Sequence, residues 1–122
     1  MAKTLFEKYG GFKSVSRIVM SFYEKVLDSD QIGDYFEDID MSRLIDHQTK
    51  FISTIMGGPA SYTDDRLQKM HEHLKLSHAD FDEMAALLRE TLTEYGMDRA
   101  DVDHIIREVE ARRGPILSAG RP

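Results

Sequence analysis

Four side chains able to donate hydrogen bonds or ligate a metal occupy positions where the surrounding pattern calls for apolar residues: Tyr23, His47, Gln48 and His71. His71 lies in Arg66-Leu67-Gln68-Lys69-Met70-His71-Glu72-His73-Leu74. At helical spacing Leu67, Met70, His71 and Leu74 share one face, so the imidazole points inward with its apolar neighbours. It then needs a carboxylate, a carbonyl or a metal, because an unpaired buried polar group costs about 1–3 kcal/mol. Taken alone, a histidine on an apolar face is more often a satisfied core residue than a ligand. Tyr23 falls within the stripe Val15, Ile18, Val19, Phe22, Tyr23, Val26 and Leu27, which carries its hydroxyl inward. His47 and Gln48 stand in the face Leu44, His47, Gln48, Phe51, Ile52 and Ile55. Each has a plainer reading: Tyr23 packed with its hydroxyl on a carbonyl, Gln48 at the margin of its stripe, His47 solvated. Together they describe an enclosed site, partly apolar, in which Tyr23 and Gln48 are able to bond each other and a small ligand.

Other chemistries fit poorly. The 122 residues contain no Cys, which removes disulfides, thiolate metal sites, a cysteine nucleophile and Cys-linked haem. A chain without Cys suits the cytoplasm, the expected location. No His-Glu-x-x-His zinc motif occurs, and no Glu-x-x-His pair of a di-iron bundle. His71 and His73 do not chelate together, since residues two apart on a helix do not face each other. A net charge of −6 argues against nucleic-acid partners. No apolar run reaches the roughly 18 residues of a membrane span.

The elements that must position these side chains read as helices, within one domain spanning residues 1–122 whose tail from about 115 is loose. A short first helix, Leu5 to Tyr9, ends at Gly10-Gly11. A second runs from Ser14 to Asp28. Ile32 to Asp38 forms a short helical turn carrying Tyr35 and Phe36. Asp40 caps a helix from Met41 to Met56, stopped by Gly57-Gly58-Pro59. The short helix bearing His71 follows a polar connection. Ser77-x-x-Asp80 resembles a capping box for a helix that reaches Tyr95, with Phe81, Met84, Leu87, Leu88, Leu92 and Tyr95 inward. Asp98 caps the last helix, with Val102, Ile105, Ile106 and Val109 inward, which Gly114-Pro115 terminates.

These pieces, in this order, resemble the truncated haemoglobins of the first group, the two-over-two globins. The resemblance is carried by Leu5-Phe6-Glu7-Lys8-Tyr9-Gly10-Gly11, by Phe22-Tyr23 with Val26-Leu27, and by Tyr35-Phe36 before Asp40-Met41. It continues through His47-Gln48-x-x-Phe51 with Gly57-Gly58, and through Tyr62, His71 and Phe81. It implies an all-α fold, a two-over-two helical sandwich around haem. It also implies that His71 is the proximal iron ligand and that Tyr23 and Gln48 are the distal pair that hydrogen-bonds dioxygen. Leu44 stands where some relatives place a second Gln. Phe36 corresponds to the phenylalanine against the porphyrin. Phe22, Phe51, Met56, Met70, Phe81 and Met84 correspond to pocket wall, and Tyr62, Arg66 and Lys69 to partners of the haem propionates.

At His47 the resemblance leaves two arrangements open: a second axial ligand when no gas is bound, giving six-coordinate iron, or an open distal site. Some relatives also bond haem covalently to a histidine near the carboxyl end. Residues 113–122 contain none, so the expected cofactor is non-covalent haem b. The implied function is binding of dioxygen, nitric oxide and carbon monoxide, with nitric oxide dioxygenation to nitrate supported by a reductase in trans. The alternative is a gas or redox sensor switched by His47.

Overall fold

The structure, a computed structural model, describes residues 4–37, 39–58 and 77–114. The described residues form five α-helices and one 3₁₀ turn, with no strand. They are α1 (Leu5–Lys8), α2 (Gly11–Asp28), the 3₁₀ turn Gly33–Phe36, α3 (Met41–Ile55), α4 (His78–Glu94) and α5 (Arg99–Glu110). The expected helix around His71, Pro59 and the tail from Pro115 lie outside the described residues.

Helix α2 packs on α3 and on α4; α4 packs on α5, which also meets α3. The core forms where the four stripes converge, with Val15, Val26, Ile32, Leu92 and Ile105 fully buried. Sequence-local signals operate as expected at two helix starts. Asp40 accepts a hydrogen bond from the Arg43 backbone N–H at 3.3 Å. Ser77 and Asp80 form a reciprocal capping box.

Four features depart from the sequence reading. First, α2 begins at Gly11 rather than Ser14. Gly10, at φ 103°, is left-handed, and a Cβ there would meet Ser14 Oγ at 2.3 Å, so the chain reverses within one residue and the next helix starts at once. Second, Leu27 is 47% exposed. It lies in the last turn of α2, where the turn at Gly33–Phe36 covers the Val26 side. That turn approaches closely: a Cβ on Gly33 would stand 2.7 Å from the Leu27 carbonyl oxygen.

Third, Tyr95 is exposed, because α4 ends one residue earlier and helical periodicity ends with it. Its hydroxyl instead pairs with Ser21 Oγ at 2.8 Å and donates to the Arg17 carbonyl at 3.1 Å. Fourth, Asp98 occupies the N-cap of α5 without using its side chain there. Its carboxylate accepts from Lys8 Nζ at 3.0 Å.

Lys8 also reaches Asp101 at 2.8 Å, and the Tyr9 hydroxyl donates to the same Asp101 oxygen at 2.6 Å. These bonds clamp α1 to the start of α5. The Lys8 ammonium, and then the Tyr9 hydroxyl, hold the Asp101 carboxyl below its ordinary 3.8. A depressed native pKa means that this stabilisation is present above the unfolded value and is lost as pH falls through the native one. Asp101→Asn is therefore expected to lower the melting temperature by about a few degrees at neutral pH. Melting curves taken at successively lower pH should converge on those of the wild type below 3.8. A difference that persists undiminished in acid would assign the loss to packing instead.

Candidate functional site

A cavity of about 60 Å³ lies where α2, α3, α4 and α5 converge. Val19, Phe22 and Tyr23 line it from α2, and Gln48, Phe51 and Ile52 from α3. Phe81, Met84, Ala85 and Leu88 line it from α4, and Val109 from α5. A water-sized molecule needs about 10–15 Å³, so a few small molecules fit. None of these lining residues is charged. Two are polar, and they come from facing helices.

Tyr23 is 3% exposed. Its ring is held edge-on between Phe22, with centroids 4.9 Å apart, and Phe36, at 5.9 Å. Burial pushes the phenol well above its ordinary pKa of 10.0, so the hydroxyl stays protonated and remains a donor. No hydrogen bond ties the Tyr23 hydroxyl or the Gln48 carboxamide to another described residue. The two side chains, able in principle to bond each other, do not do so here. Each therefore brings an uncommitted donor to an apolar void, where the low dielectric strengthens a hydrogen bond to an incoming acceptor.

Of the other residues singled out in the sequence, Phe22, Phe51, Phe81 and Met84 reach the cavity. Phe36 is buried behind Tyr23 rather than on the cavity. Leu44 and His47 are half-buried on the same helix as Gln48 but are not part of this lining. Met56 is buried away from the void, and its carbonyl accepts the Phe6 N–H at 2.9 Å. Tyr62, Arg66, Lys69, Met70 and His71 lie outside the described residues.

The sequence reading did not assign Val19, Ile52, Ala85, Leu88 or Val109 to the site. As ordinary members of apolar stripes, they carry no local signal that separates cavity wall from solid core. Two cations stack on rings of the aromatic wall. The Arg113 guanidinium sits 4.5 Å from the Phe81 ring centroid, and that of Arg112 sits 5.9 Å from the Phe51 centroid.

The lining of this void suits the gas-binding side of a haem site. Among the described residues its lining is apolar and uncharged, with two donors bonded to no other described residue. The residues present thus fit the group that the family pattern implies.

Comparison with known proteins gives the same direction. The bacterial-like globin family matches residues 4–118. The chain is 36% identical over 115 residues to a group 1 truncated haemoglobin of Synechocystis sp., covering 91% of this chain and 90% of that one. Among solved structures, truncated haemoglobin of Tetrahymena pyriformis in its Fe(III) form is similar. The TM-score is 0.85 and the identity 30%, over 94% of this chain and 98% of that one. The 2/2 haemoglobin of a Synechococcus species, described with covalently attached haem, gives a TM-score of 0.87 at 28% identity, over 95% and 99%. The four main helices, packed as two facing pairs, are the two-over-two sandwich of these proteins. The chain belongs to the bacterial-like globins and, within them, to the group 1 truncated haemoglobins.

Proposed function

We propose that this protein binds non-covalent haem b, holds dioxygen over it and converts nitric oxide to nitrate. In this reading His71 is the proximal ligand and Tyr23 and Gln48 are the distal donors. The observation that carries it is the pair of uncommitted donors facing an apolar cavity between α2 and α3. Haem, when bound, supplies the iron that takes up dioxygen and the electron that the reaction with nitric oxide consumes. The chain's own part is to bind, orient and exclude water.

Tyr23 donates from a position fixed by two aromatic rings, and Gln48 donates from the opposite wall. Both bonds favour a ligand that carries negative charge over a neutral one. Phe51, Phe81 and Met84 exclude water, while Phe36, Leu44 and Met70 complete the apolar surround. Tyr62, Arg66 and Lys69 are assigned to the haem propionates. The absence of histidine from residues 113–122 supports a cofactor held without a covalent bond. Turnover consumes an electron that none of these side chains supplies, so the proposal includes a reductase acting in trans. No helix among the described residues is long and apolar enough to cross a membrane, and the reading places the protein in the cytoplasm.

A second reading, a gas or redox sensor switched by His47, is favoured by one observation. His47 shares its helix face with Gln48 and Phe51, and its Nδ1 is withdrawn from solvent. One set of measurements separates the two. The oxygenated holoprotein is mixed with nitric oxide, and spectra of the ferric and ferrous forms are recorded for wild type and His47→Ala. Rapid, stoichiometric nitrate formation with high-spin spectra in both proteins supports dioxygenation at an open site. Low-spin spectra in wild type that become high-spin in His47→Ala support the switch. Slow release of dioxygen without nitrate overturns the dioxygenation reading.

A further inference from the structure

Asp80 is 7% exposed and does not line the cavity. Within α4 it needs only Ser77: its N–H donates to Ser77 Oγ at 3.0 Å, and its Oδ2 accepts the Ser77 N–H at 3.1 Å. Such a capping box works at an exposed helix end and does not require burial. Here the carboxylate also accepts from two distant side chains, one just before the 3₁₀ turn and one within it. Gln31 Nε2 donates to Oδ1 at 3.0 Å, and the Tyr35 hydroxyl donates to Oδ2 at 2.8 Å. Burial alone would push the Asp80 carboxyl up, yet the bonds from Gln31, Ser77 and Tyr35 hold it below its ordinary value. The group is therefore a charged acceptor at neutral pH, and its bonds are of the stronger kind.

The turn that this carboxylate grips carries Phe36 immediately after Tyr35. Phe36 is 2% exposed, and its ring stands edge-on to Tyr23 at 66°. Because the Tyr23 hydroxyl is bonded to no described residue, contacts on the ring set where it points. One of its two aromatic walls, Phe22, belongs to the same helix. The other, Phe36, is placed by the turn. On the far side of Asp80, the next residue is Phe81, itself part of the cavity wall.

We propose that Tyr35 and Asp80 are positioning residues for Tyr23: their hydrogen bond fixes the turn that seats Phe36 against the Tyr23 ring and so aims the hydroxyl into the cavity. This rests on the reading of Tyr23 as a ligand donor given above.

The test uses haem-loaded protein and two probes. The C–O stretch of the ferrous carbon monoxide form reports hydrogen bonding to the ligand, and stopped-flow gives the rate of dioxygen release. Tyr35→Phe removes the donor to Asp80 and keeps the ring. It is expected to move the stretch towards its Tyr23→Phe position and to speed dioxygen release about fivefold. In the Tyr23→Phe/Tyr35→Phe double variant, the second change is expected to add nothing, because both act through one hydroxyl. Asp80→Asn keeps an acceptor oxygen for Tyr35 and is expected to fall between wild type and Tyr35→Phe. It also serves if Tyr35→Phe does not fold.

A lower melting temperature with unchanged stretch and release rate, in either variant, would make the bond a structural clasp and overturn the proposal. Additive effects in the double variant would do the same. If Tyr23→Phe itself leaves both probes at wild-type values, the donor role of Tyr23 fails first, and the proposal falls with it.

Discussion

Replacing Tyr23 by Phe is expected to speed dioxygen release by about tenfold to a hundredfold, the equivalent of losing a hydrogen bond of about 1.5–3 kcal/mol to a charged acceptor. The substitution removes one oxygen atom and leaves the ring between Phe22 and Phe36, so packing is kept. Nothing else among the described residues depends on the hydroxyl, which has no hydrogen-bond partner there. The folded protein should therefore be as stable as wild type, or slightly more so, since a buried polar group is removed. Stopped-flow release of dioxygen and a thermal melt together check this. Unchanged release would show that Gln48 alone holds the ligand. Gln48→Leu would then be the variant with the large effect.

The second large effect is expected at His71. His71→Ala is expected to weaken retention of haem by more than about a hundredfold, since even the outer partners of a metal ligand are commonly worth ten- to a hundredfold. Haem transfer to an apoprotein acceptor measures the loss. Free imidazole added to the variant should restore the spectrum, because it replaces the missing ring at the iron. Wild-type retention and spectra in His71→Ala would assign the axial position to another residue, with His47 the first to test. This expectation comes from the sequence, as His71 lies outside the described residues.

Most of the fold and much of the candidate site are legible in the sequence because their causes are local. A stripe such as Val15, Ile18, Val19, Phe22, Tyr23 and Val26 follows from helical periodicity, and all six are buried. The caps at Asp40 and Ser77 depend on residues three positions away. Tyr23 and Gln48 are conspicuous for a related reason: a polar residue in an apolar stripe needs a purpose wherever the helix packs.

What the sequence leaves open depends on which distant residues meet. The stripes do not distinguish the cavity wall at Val19, Ile52 and Val109 from the solid core at Met56, because a void is a property of four converging helices and of no single one. Asp98 has the right type and place for a side-chain cap, but its carboxylate turns to Lys8, 90 residues away, where a cation outcompetes a backbone N–H. Tyr95 and Leu27 continue their stripes on paper, yet the elements that would cover them end or turn aside. Asp80 shows the division most plainly. Its place beside Ser77 is written in local spacing. Its grip on Gln31 and Tyr35, 49 and 45 residues earlier, exists only because tertiary packing brings the turn against the start of α4.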